Sequence, residues 1–110
     1  MRQDVKELID AMQAGWNKVP KNCPHSTFKG SYKNPKACCP LGHAMFGKND
    51  KVDSVASLRI TCDFPVLLKQ KVKVYFGDLI DLQAAIITLA DDYNWSTPKV
   101  IKWLKSHLEN

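Results

Sequence analysis

The sequence predicts a mainly α fold: a compact single domain of four to five short helices with a long basic loop, spanning residues 1–110 as one helical domain. Apolar residues near both ends recur at the three-and-four spacing of one helical face. A stretch from about 79 to 92 is apolar around most of its circumference. Between the first helix and residue 37 the apolar period disappears and prolines and glycines take over.

Val5, Leu8, Ile9, Met12 and Trp16 define the first face, with Lys6, Glu7, Asp10 and Gln13 opposite, so a helix is expected from about 3 to 14, ended by Gly15. From Asn17 to Lys36, Pro20, Pro24, Gly30 and Pro35 punctuate a run rich in Lys, Asn and Ser, read as a loop with a short extended piece at 26–28. Loops of that length in small domains are usually functional or disordered. Pro40 suits a first helical turn, where its missing N–H costs nothing. A helix from about 40 to 47 would turn Leu41, Ala44 and Met45 inward, let another backbone approach at Gly42, and close in a turn at 47–50.

Residues 51–73 carry the weakest pattern: Val52, Val55, Leu58, Ile60 and Cys62 partly alternate, and Pro65 to Leu68 resembles a helix start. A short helix at about 65–71 after irregular structure is expected. Asp78 is the natural N-cap for the next helix. Leu79, Leu82, Ile86, Leu89 and Tyr93 form its seam, broadened by Ile80, Ala85, Ile87 and Ala90, which places the helix at 79–92 in the middle of the core. Asp91 to Asn94 stop it, Ser96 or Thr97 caps the last helix and Pro98 fills its first turn. Val100, Ile101, Leu104 and Leu108 face inward there, with Lys99, Lys102 and Lys105 outside.

A chain of 110 residues buries a modest core without needing a disulfide or metal. The opening residues lack the apolar run of a signal peptide, and no stretch has the roughly 18 uninterrupted apolar residues of a membrane helix. The expectation is a soluble cytoplasmic protein without membrane contact. Its four cysteines (Cys23, Cys38, Cys39, Cys62) are then expected to stay reduced. The net charge is +5, and its distribution says more than its size. No acid lies between Asp10 and Asp50, whereas Lys18, Lys21, Lys29, Lys33, Lys36 and Lys48 all do.

The segment from Cys38 to Met45 has three readings: a buried helix start, half of a metal site, or a thiol centre. Cys23 and His25, with Cys38, Cys39 or His43, offer the donor types of a tetrahedral zinc site. The spacing matches no standard finger, and paired Cys-x-x-Cys knuckles are missing. Cys39 at a helix N-terminus, assisted by His43, could act as a nucleophile, yet no motif places an Asn or Asp to orient the imidazole. The plainer reading makes Cys38, Cys39 and Cys62 small buried hydrophobes with His43 half exposed. Asp78, Asp81, Asp91 and Asp92 read as caps and helix ends rather than acid catalysts, and no phosphate loop or Ser-His-Asp order occurs. No cofactor is implied.

The basic window is the strongest functional signal. Trp16, Lys18, Lys21, Phe28, Lys29, Tyr32, Lys33 and Lys36 interleave cations with flat rings, which suits a nucleic-acid backbone with stacked bases or an acidic protein surface. The chain has only two arginines, Arg2 and Arg59, which disfavours specific base reading. Trp103, beside Lys102 and Leu104, falls at the edge of the last helix's apolar face, where exposure would mark a partner surface and the plainer reading is partial burial.

Three stretches together resemble small uncharacterised proteins of bacteriophages and prophages: the opening helix with its Lys-bearing loop, the Cys38-Cys39-x-Leu41-Gly42 helix start, and the C-terminal run. That run reads Leu89-x-Asp91-Asp92-x-x-Trp95-Ser96-x-x-x-Val100-Ile101-x-Trp103-Leu104. Asp91-Asp92 stands where that pattern has Asn-Asp, Pro40 where an aliphatic residue is usual, and Lys102 where a small one is. The resemblance implies a helical phage protein, acting in the host cytoplasm, with no catalytic residues to carry over. The expected function is therefore non-enzymatic: binding of a host or phage macromolecule through the basic loop, in the manner of a counter-defence or host-takeover inhibitor. The alternatives are a small nucleic-acid-binding module, or a zinc- or thiol-dependent activity.

Overall fold

The computed structural model describes residues 2–18, 39–49, 56–74 and 79–108. Five helices appear in it: α1 (Gln3–Lys18), α2 (Pro40–Asn49), α3 (Ala56–Asp63), α4 (Leu82–Asp91) and α5 (Thr97–Leu108). Two three-residue strands, β1 (Lys71–Lys73) and β2 (Leu79–Asp81), pair antiparallel between α3 and α4. The mainly α expectation holds, with a small hairpin added. No described helix is long and apolar enough to cross a membrane.

The first helix does not end at Gly15 but runs on through Asn17 to Lys18. Gly15 is buried within it, and a Cβ there would stand 1.9 Å from the carbonyl oxygen of His43. One turn back on α1, the Ala11 carbonyl oxygen lies 1.9 Å from where a Cβ on Gly47 would be. Position 15 thus meets 43 while 11 meets 47, so α1 and α2 run antiparallel with their backbones in contact. Adding a carbon–carbon bond of about 1.5 Å bounds each Cα···O separation at about 3.4 Å, the range of Cα–H···O contacts at close helix crossings. Gly47, expected in a turn, is therefore a packing position inside α2, which continues to Asn49.

Helix α2 touches every other helix, whereas the sequence placed the helix at 79–92 in that central role. Every residue from Cys39 to Met45 is buried, whichever side of the helix it occupies. Leu41, Ala44 and Met45 face the core as expected, and they pack with Leu8 and Met12 of α1, Ile60 of α3, Leu82, Ile86 and Leu89 of α4, and Val100 and Leu104 of α5 in one cluster. A helix surrounded on all sides has no polar face to create a period.

The segment expected to be irregular contains α3, and the helix expected at 65–71 is instead a series of turns leading into β1. Leu67 and Leu68 are buried there, while Val66 is 74% exposed. Helix α4 is shorter than expected because Leu79 to Asp81 form β2. Its N-cap is Asp81, whose side chain makes no capping bond; Asp78 lies outside the described residues. The reason is long-range. The first free N–H groups of α4 donate to carbonyls of the preceding turns, Leu82 to Gln70 at 2.8 Å and Gln83 to Leu68 at 2.9 Å. The Asp81 carboxylate is left to pair across the hairpin with Lys71 at 2.7 Å.

Helix α4 stops as expected after Asp91, with Asn94 in the left-handed region (φ 56°) that Asn tolerates better than most residues. Ser96 caps α5, its hydroxyl accepting from Lys99 N–H at 3.3 Å. Val100, Ile101, Leu104 and Leu108 are buried, while Lys99, Lys102 and Lys105 are exposed, as the period required.

Candidate macromolecule-binding surface

The antiparallel pairing of α1 and α2 has a direct consequence for the basic window. The chain leaves α1 after Lys18 and re-enters the described structure at Cys39, at the same end of the helix pair. Lys21, Lys29, Tyr32, Lys33 and Lys36, with Phe28 and the zinc candidates Cys23, His25 and Cys38, lie outside the described residues. Trp16 and Lys18 mark where the window begins.

Trp16 is half buried, its ring edge-on to His43 with centroids 5.4 Å apart at 74°. Lys18 is exposed and holds its ammonium 5.3 Å from the centre of the Phe46 ring. His43, expected half exposed, is completely buried. Its place is filled from three sides: the Gly15 backbone approaches its carbonyl, Trp16 covers its ring, and its Nδ1 shares a 2.6 Å hydrogen bond with the buried Thr97 hydroxyl at the start of α5. No described buried side-chain polar atom lacks a partner. These contacts bring the N-terminal end of α5 to the same end of the molecule as the exit of α1.

Cys39 is buried, and burial pushes its thiol above the ordinary cysteine value, an effect reinforced by the charge of Asp91. Its sulfur accepts from Gly42 N–H at 3.4 Å, which works in the opposite direction but is outweighed. A thiol held protonated and away from solvent serves packing rather than nucleophilic attack. Cys62, expected to be buried, is exposed on α3. Among the described residues no three His, Cys, Asp or Glu side chains gather to hold a metal.

Trp103 is 8% exposed and packs on His107 with ring centroids 4.8 Å apart, so its ring belongs to the core and not to an exposed edge. Trp95 is the half-buried tryptophan of this region, packed against the core at the turn before α5 with Lys99 over its ring at 4.5 Å. Along the seam between α1 and α2, Ala11, Ala14 and Gly47 leave an open groove bordered by Glu7, Asp10 and Lys48. It is the outward face of the same small residues that let α1 and α2 approach.

The row of exposed lysines on α5 was visible in the sequence only as a solvent side. Its signal was a spacing of three with no acid between Thr97 and Leu108. The chain gives no match to known family models, to curated proteins or to solved structures.

Proposed function

We propose that this is a non-enzymatic protein of phage or prophage type that docks on a host or phage macromolecule through its basic window, with a counter-defence or host-takeover inhibitor as the natural form. The observation that carries the reading is the one-signed charge between Asp10 and Asp50: six lysines, no arginine and no acid. Such a segment attracts phosphates or a carboxylate-bearing surface over distances of about 10 Å at moderate salt. Two structural features support it. Lys18 stands exposed at the start of the window. Cys39 and His43 at the other end are committed to packing and to Thr97, which argues against a thiol activity of that pair.

The second reading, a nucleic-acid-binding module, is favoured by the rings of Phe28 and Tyr32 between those lysines. The two are separated by capture of partners from host lysate beside titration of labelled DNA at rising salt. Replacing Lys29, Lys33 and Lys36 with glutamate is expected to abolish either kind of binding. Retained binding by that variant means the window is not the contact surface.

A further inference from the structure

We infer that the outer face of α5 is a second cationic surface, built to lie along the phosphate backbone of a nucleic acid without reading its sequence. Lys99, Lys102 and Lys105 are all exposed, opposite the buried Val100, Ile101, Leu104 and Leu108. At three-residue spacing the side chains stay on one side of the helix. They climb about 4.5 Å per step, so the row covers about 9 Å, the length of two to three phosphates along one strand.

Three observations distinguish this row from an ordinary solvated face. Among the described residues, no carboxylate pairs with any of the three lysines. Lys48 has Asp63 at 3.6 Å and Lys71 has Asp81 at 2.7 Å; Lys6, Lys69 and Lys73 are also exposed without such a pair among the described residues, but they lie on separate elements, whereas the α5 lysines form one row. Second, Lys99 sits in the first turn of α5, where the helix dipole disfavours a cation and where no acid is present. Its ammonium is held over the Trp95 ring at 4.5 Å, which gives that charge a fixed place. Third, the exposed residues of α5 are Pro98, Lys99, Lys102, Lys105, Ser106 and His107, with no large apolar side chain among them.

That third observation selects the partner. Protein partners are held mainly by aromatic, aliphatic or arginine anchors in desolvated pockets, and this face offers none. A regular polyanion needs only charge. Lysine ammoniums are point charges without the bidentate fork that reads guanine, so binding is to the backbone and indifferent to sequence. The inference rests on α5 alone and stands or falls separately from the basic window.

The test uses the full chain and two fluorescent 30-base-pair duplexes of unrelated sequence, titrated from 50 to 200 mM salt. A glutamate peptide of matched length serves as the carboxylate probe. Two variants are compared with the parent: K99Q/K102Q/K105Q, and K29E/K33E/K36E. Thermal melting by circular dichroism checks that both fold. The α5 variant is expected to lose about tenfold in affinity at the lowest salt. Its log K against log salt slope should flatten by about 2 to 3, since each phosphate contact contributes about 0.9. Both duplexes should suffer equally, and the K29E/K33E/K36E variant, in which only the α5 row is left, should bind the glutamate peptide far more weakly than DNA. A folded α5 variant with unchanged affinity and slope overturns the proposal. So does a parent that binds neither duplex, or a folded K29E/K33E/K36E variant, its window disabled, that binds the peptide as well as DNA. If only the window variant loses DNA binding, the window reading survives and the α5 surface is refuted. If only the α5 variant loses it, the α5 surface stands and the window is not the DNA contact, which leaves its protein-docking reading to lysate capture.

Discussion

Helices α2 and α5 are of similar length, 10 and 12 residues, but they are specified in opposite ways. Helix α5 divides cleanly into a buried apolar side and an exposed lysine side, and its period alone says where it lies. Helix α2 is enclosed from Cys39 to Met45, carries a buried histidine and two glycines, and shows no such period. What defines α2 is what is missing at its contacts, on its own surface as well as on its neighbours'. The missing side chains at Gly15 and Gly47 let the α1 backbone touch it, and one hydroxyl on α5 bonds the Nδ1 of its imidazole. The fold should therefore be fragile along α2 and tolerant along the outside of α5.

The largest expected effect follows from the two close approaches. A methyl group at Gly15 or at Gly47 would meet a backbone carbonyl oxygen at 1.9 Å, and a backbone atom cannot rotate away as a side chain can. Each helix would have to move. Over-packing a core costs about 1–3 kcal/mol when side chains can adjust, so G15A and G47A should each cost about 3 kcal/mol or more. In a domain of this size that lowers Tm by about 10 °C or more. In contrast, Ala at Lys102 on the outside of α5 should shift Tm by no more than about 2 °C. Equal melting of G15A and K102A would end the contrast between the two helices.

A smaller effect is expected where α2 and α5 meet. Replacing Thr97 with Val keeps the shape but removes the hydroxyl 2.6 Å from His43 Nδ1, leaving a buried nitrogen without that partner. Such a loss costs about 1–3 kcal/mol. Thr97→Ser retains the hydroxyl and removes one methyl, so its cost should stay near 1 kcal/mol. A double-mutant cycle of T97V with H43L, followed by urea denaturation, should give a coupling of about 1 kcal/mol. Additive costs would show that the bond contributes nothing between the two helices.

The same contrast explains how much of the molecule was legible in the sequence. The faces of α1 and α5 were read correctly because one side of each is wet, and Pro40 marked the start of α2. The central position of α2 was hidden, since burial on all sides erases the period. Helix α3 was missed because Ser57, Arg59 and Thr61 alternate with apolar residues in a strand-like way. The hairpin was missed because strands of three residues are too short to show alternation. The cap of α4 was misplaced because its N–H groups bond to Leu68 and Gln70 carbonyls, partners that no local motif encodes. At the candidate surface, the lysine window and the lysine row were plain in the sequence. The complete burial of His43 and the depth of Trp103 were not, because how far an aromatic ring beside an apolar face is covered depends on which helix crosses it.

The mildest test concerns the two described cysteines, which fall on either side of the same divide. Cys39 is enclosed with α2, and Cys62 is exposed on α3. A thiol reagent at neutral pH should label Cys62 rapidly in the folded protein and Cys39 only after unfolding, as read by peptide mapping. The direction of the pH effect follows from Cys39 being raised above its ordinary value. The unfolded chain gives up that proton first as pH rises, so above the ordinary thiol value the folded state binds more protons than the unfolded one. Stability contributed by the protonated thiol is complete below that value and declines as pH climbs toward the raised one. Urea unfolding should therefore weaken with alkaline pH in the parent, and less steeply in C39A, which starts lower because of the cavity but has no thiol at that position to titrate. If C39A and the parent decline in parallel, the buried thiol is not the group responsible, and Cys39 is less enclosed beside α2 than its burial implies.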